Sequence, residues 1–114
     1  MLAEAFAQCV LGMTTYMTEP SKIDIQGSRQ VEAKGRDVQD LLFHLLDEFL
    51  YVYGSEYFVC KKIEITYLDL THNNHEEQMI VRATGYGEKF DHDRYIKFQR
   101  LKNDFQNIFS KLKI

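Results

Sequence analysis

The apolar positions of this 114-residue chain change period along its length, and each change marks an element. From Leu2 to Met17, the residues Leu2, Phe6, Cys9, Val10, Met13 and Met17 share one helical face, with Glu4 and Gln8 outside it. This predicts an amphipathic helix without a Ser, Thr, Asp or Asn start signal. Thr18 to Pro20 ends it, because Glu19 before a proline is steered out of helical geometry. Lys22 to Lys34 then reads as two short strands, with Ile23 and Ile25 alternating, a turn at Gln26 to Ser28, and Val31 and Ala33 leading to Gly35.

Val38 to Tyr53, VQDLLFHLLDEFLYVY, carries the strongest periodicity. Val38, Leu41, Leu42, Leu45, Leu46, Phe49, Leu50, Val52 and Tyr53 fill one half of a helix, and Asp40, His44, Asp47, Glu48 and Tyr51 much of the other. Asp37 is placed to cap it, Asp40 adds a negative charge to the first turn, and Gly54 is expected to close it in a left-handed conformation. Tyr57 to Cys60 and Lys61 to Leu70 are extended, with Ile63, Ile65 and Tyr67 on one face. Thr71 to Gln78 is a polar turn, Met79 to Phe90 returns as a strand, and the two strands form a hairpin. Gly85 and Gly87, on either side of Tyr86, mark a bulge or a close backbone approach.

In Tyr95 to Ile114, Phe98, Leu101, Phe105, Ile108 and Leu112 recur at the spacing of a helical seam, in a segment rich in Lys, Phe, Ile, Asn and Gln. This composition is equally that of translated A/T-rich non-coding sequence, so a terminal helix and an accidental one both fit. The organisation expected is a domain over residues 2–94 and a divergent, helical tail over 95–114.

Charge sharpens this division. The last twenty residues carry a net charge of +4 and the remainder −7. An acidic body is a poor nucleic-acid surface, and the tail is too sparse in charge for an RNA-binding arm. No apolar run spans a membrane, and the N-terminus lacks the pattern of a secretion signal. Cys9 and Cys60 read as buried structural thiols in a reducing compartment, so the chain is expected inside the cell, in the cytoplasm, the nucleus or both.

Three polar groups are candidate sites. Asp69, His72, His75, Glu76 and Glu77 offer ligands for a divalent metal, though in a hairpin turn and at no established spacing. Asp91 and Asp93 flank His92, an arrangement that holds a metal, tunes a base or simply ends a strand. The polar half of the central helix clusters Asp40, His44, Asp47, Glu48 and Tyr51, and Asp47 and Glu48 beside Leu46 and Phe49 are expected to be partly buried. These readings leave open a metal-dependent hydrolase using His72 and His75, and a helical interaction module acting through Phe98 to Leu112.

Three ordered stretches resemble the archease family: EAFAQCVLGMTTYMT at Glu4 to Thr18, VEAKGRDVQDLLFHLLDEFLYVY at Val31 to Tyr53, and RATGYGEKFD at Arg82 to Asp91. The resemblance covers roughly residues 2 to 95, and LLFHLLDEFLY is its most specific part. It implies an α+β fold of two strand–helix–strand–strand units with a mixed sheet. It also implies a non-enzymatic accessory protein of the RtcB-type tRNA-splicing ligase, which promotes guanylylation of the ligase and its multiple turnover and meets tRNA only indirectly. Asp47, Glu48 and Glu88 are the acids that such a protein would turn toward the ligase or its metal.

The resemblance further implies a bound divalent cation, calcium or magnesium, held by acids at the two ends of the family's chain. None of those ligands falls on a position here. The family's strand with His-Thr-Ala-Asp would precede Met1, Tyr95 to Ile114 replaces its Gly-Thr-Glu-Val-Lys-Ala strand, and Lys113 stands where its terminal Asp is expected. A truncated or alternatively spliced form, incomplete at both ends and either active or inactive, accounts for the uncapped first helix and the foreign tail.

Overall fold

The computed structural model describes residues 1–73, 75 and 77–112, the side chains of His92 and Leu112 excepted. The chain forms α1 (Leu2–Met17), a 3-10 turn (Pro20–Lys22), β1 (Gly27–Gly35), α2 (Val38–Glu56), β2 (Phe58–Asp69), β3 (Met79–Lys89) and α3 (His92–Leu112). Asp37 caps α2 as its residue type predicts, its side chain accepting the Asp40 N–H at 2.8 Å. Seven buried side chains of α2, from Leu41 to Tyr53, face the core. At about 1.5–3 kcal/mol each, they contribute a gross term above about 10 kcal/mol. The helix continues through Gly54 to Glu56, and Tyr57, not Gly54, takes the left-handed conformation at φ 56°. The Tyr57 ring packs on Tyr95 with centroids 4.1 Å apart, which gives a non-glycine residue a reason to stay there.

The three strands lie in the order β1-β3-β2, and both pairings are antiparallel. The α+β class stands, but the mixed pairing implied by the resemblance is not made among the described residues. β1 and β2 do run parallel across the α2 crossover, yet β3 lies between them and pairs with both. A single strand replaces the two expected over Lys22 to Lys34, and the turn expected at Gln26 to Ser28 is the start of β1. The Gln26 N–H extends that ladder, donating to Gly87 O at 2.8 Å.

Register shifts at Cys60/Lys62 and Ile65/Tyr67 break the alternation of β2. The second turns Tyr67 outward under the Arg82 guanidinium and brings Leu68 toward the core. Beside the first shift, the backbone approaches closely. A Cβ on Gly85 would lie 2.4 Å from Cys60 Sγ, and one on Gly87 would lie 1.8 Å from Val59 O. Cys60 is buried as expected, and burial pushes its thiol up to about 12. Cys9, expected in the core, is exposed, because α1 turns Phe6, Val10 and Met13 inward and leaves position 9 at the edge of the stripe.

The segment after Phe90 packs onto the helices. Asp91 caps α3, accepting the Arg94 N–H at 2.9 Å. The buried face of α3 is Tyr95, Phe98, Lys102 and Phe109, with Phe105 packed beside them. The expected seam is therefore rotated: Leu101 is 38 % and Ile108 49 % exposed. Both sets repeat at three and four residues, so spacing alone does not distinguish them. Rings decide, with Phe98 packing edge-on to Tyr53 and Phe109 edge-on to Phe43.

Candidate functional site

Helix periodicity positions the site. The side of α2 turned from the core carries His44, Asp47, Glu48, Tyr51 and Ser55. It floors an open groove of about 1040 Å³, whose walls are β1, through Glu32 to Lys34, and α3, through Tyr95, Gln99, Lys102 and Gln106. Asp47 and Glu48 are exposed in it rather than partly buried. A turn of about 100° per residue carries both outward between the inward-facing Leu46 and Phe49. Tyr51 is exposed as well.

His44 and Asp40 are held at one end of this face. The His44 ring meets Lys34 O through Nδ1 and lies 3.6 Å from Asp40 Oδ1 through Nε2. Asp40 accepts the Arg36 N–H at 3.0 Å, and this bond chiefly lowers its pKa, against some desolvation and with help from His44 and the Arg36 guanidinium. Their contacts anchor the start of α2 to the end of β1.

Glu88 lies elsewhere. Although expected to face a partner, it is turned inward and its carboxylate is engaged: Oε1 accepts from Arg94 Nη1 at 2.9 Å and Oε2 from the Asp24 N–H at 2.6 Å. Those two hydrogen bonds hold its carboxyl below the usual carboxylate range. Arg94 also donates to Lys22 O at 2.9 Å, so the pair ties β3 and α3 to the chain after α1.

The other polar candidates serve the backbone. Asp69 accepts from the Thr71 N–H and hydroxyl, and His72 Nε2 lies 2.8 Å from Arg36 O. His75 and Glu77 are exposed, and Glu76, like the His92 side chain and Lys113, lies outside the described residues. Among the described residues, no three His, Cys, Asp or Glu side chains come together to hold a metal ion. The donors described here thus do not fit the divalent cation that the resemblance implies.

Lys102 is the groove residue that sequence reasoning missed. Its signal was present: Phe98, Lys102, Phe105 and Phe109 repeat at four, three and four residues, which puts a lysine within an apolar stripe.

Fold and groove together define an α+β protein with an open, mixed-charge groove along its core helix. Comparison with known proteins gives the family. The sequence profile of the Archease protein family matches residues 1–102, and the chain belongs to that family. It is 42 % identical over 91 residues to "Protein archease-like" of Drosophila melanogaster, covering 79 % of this chain and 54 % of the relative. It is 30 % identical over 95 residues to "Protein archease" of Danio rerio, covering 82 % and 55 %. The chain thus spans just over half the length of these relatives. The solution structure of Methanobacterium thermoautotrophicum protein 1598 matches with a TM-score of 0.63 at 25 % identity, over 80 % of this chain and 61 % of that one. Among the described residues, no helix is long and apolar enough to cross a membrane.

Proposed function

We propose that this chain acts as an accessory protein of an RtcB-type tRNA-splicing ligase, promoting guanylylation of the ligase and its multiple turnover without itself being a catalyst. Family membership supports the reading, and one observation carries it to particular residues. Asp47 and Glu48, within the most family-like segment, stand exposed side by side on the groove. They are the surface offered to the ligase, and tRNA is met only through it. The protein works inside the cell, in the cytoplasm or nucleus. No step is assigned to a divalent cation, because the described residues do not gather a ligand set.

Multiple-turnover RNA ligation by the cognate ligase at limiting GTP tests this. Adding the chain is expected to raise turnover. Asp47→Ala with Glu48→Ala is expected to lower that stimulation about tenfold, equivalent to about 1.4 kcal/mol of partner contact, with the helical circular dichroism unchanged. Full stimulation by a folded double variant, or none by the wild-type chain, refutes the proposal.

A further inference from the structure

Lys102 has no part in the function just proposed, yet its placement is unusual. It lines the groove while only 9 % exposed. An ammonium has three N–H donors. Gln106 Oε1 takes one at 3.3 Å, and among the described residues no carboxylate forms an ion pair with Lys102. A buried cation is unfavourable until a counter-charge meets it. The fold nevertheless makes room for this one. A Cβ on Gly54 would lie 3.0 Å from Lys102 Cε and 3.2 Å from Nζ, so the glycine inside α2 is the seat of the lysine. The last turn of α2 offers only partial negative charge.

The polar partner of the ammonium, Gln106 Oε1, is a neutral acceptor. Gln99 and Gln106 lie about one turn before and after it along α3, and Ser55 lines the groove from α2. A cation bonded to one neutral amide oxygen suits a carboxylate. Glu32, Asp47 and Glu48 line the same groove and repel a multiply charged phosphate more strongly than a singly charged carboxylate. Asp47 precedes Gly54 by seven residues, about 10 Å along the helix.

We infer that Lys102 is the receiving site for a carboxylate side chain of a protein partner, whose same segment places a basic side chain against Asp47 and Glu48. Extended chain covers about 3.3 Å per residue, so acid and base lie about three residues apart in that segment. The inference rests on reading this groove as the partner-facing surface.

Two measurements on the full chain test it. Calorimetric titration with the cognate ligase is expected to show at least tenfold weaker binding for Lys102→Glu and a smaller loss for Lys102→Gln, both with wild-type circular dichroism. In parallel, ε-13C-labelled lysine is followed by NMR during titration with acetyl-Lys-Ala-Ala-Glu-amide, its Gln analogue and inorganic phosphate. A saturable shift of the Lys102 signal is expected with the Glu peptide alone and is lost in Lys102→Gln. Equal ligase affinity of the wild type and a folded Lys102→Glu overturns the inference while the proposed function stands. A peptide-induced shift without ligase binding supports the carboxylate site and refutes the ligase reading. No shift with the peptide, or an equal one with phosphate, overturns the carboxylate assignment.

Discussion

Replacing Glu88 with Gln separates a structural acid from a partner-facing one. The Glu88 side chain is 7 % exposed and that of Arg94 37 %, with their closest N–O contact at 2.9 Å. Gln keeps an acceptor for the Asp24 N–H, 2.6 Å away in the wild type, but loses the charge that draws Arg94. A buried hydrogen bond to a charged group contributes about 1.5–3 kcal/mol, and partial exposure of Arg94 favours the lower half of that range. The loss corresponds to a fall in Tm of about 5–12 °C for a domain of this size.

The sign of the pH dependence follows from the depressed carboxyl of Glu88. Its stabilising contribution is fully present above the unfolded carboxyl's pKa, about 4.3. It is lost as pH falls through the lower folded value. Urea unfolding followed by circular dichroism is therefore expected to show the full deficit of Glu88→Gln at pH 7 and a shrinking one below about pH 4.3. A variant as stable as wild type at pH 7, or a deficit that does not shrink in acid, refutes the argument and returns Glu88 to the candidates for partner contact.

Further outcomes are expected elsewhere. Gly85→Ala drives a Cβ against Cys60 Sγ and should cost about 1–3 kcal/mol by denaturant unfolding, with Cys60→Ala in the same chain restoring part of it; additive losses would show that the clash is not the cause. The Tyr53 hydroxyl donates to Thr14 Oγ1 at 2.6 Å, while Thr14 donates to Val10 O at 3.1 Å. Thr14→Val should therefore cost about 1–3 kcal/mol, and much less in a Tyr53→Phe background; a double-mutant cycle without coupling would deny that bond its role. Under native conditions a thiol reagent should label Cys9 quickly and Cys60 only on unfolding, read by mass spectrometry, because Cys60 is buried and its thiol is raised to about 12. Equal labelling rates would contradict the packing of β2 against α2.

Much of the candidate site was legible because it lies on one helix. A period of 3.6 assigns Leu45, Leu46 and Phe49 to the core and gathers His44, Asp47, Glu48 and Tyr51 opposite, whatever packs around them. The Asp37 cap and the hairpin are equally local, as they depend on neighbours a few residues away. The inward turn of Glu88 was not legible, because Arg94 and the Asp24 N–H reach it from elements that sequence spacing does not relate.

The sequence by itself determined the three helices, the hairpin, the buried face of α2 and the membership of the family, since these follow from short-range backbone geometry and from the identity of ordered segments. Only the tertiary structure decided which of two equally spaced stripes on α3 is buried, why Gly54 stays helical, and that Lys102 completes a groove begun by Asp47 and Glu48. Those outcomes depend on ring packing, a close approach between helices and the burial of one charge, and each of these is a relation between residues far apart in the chain.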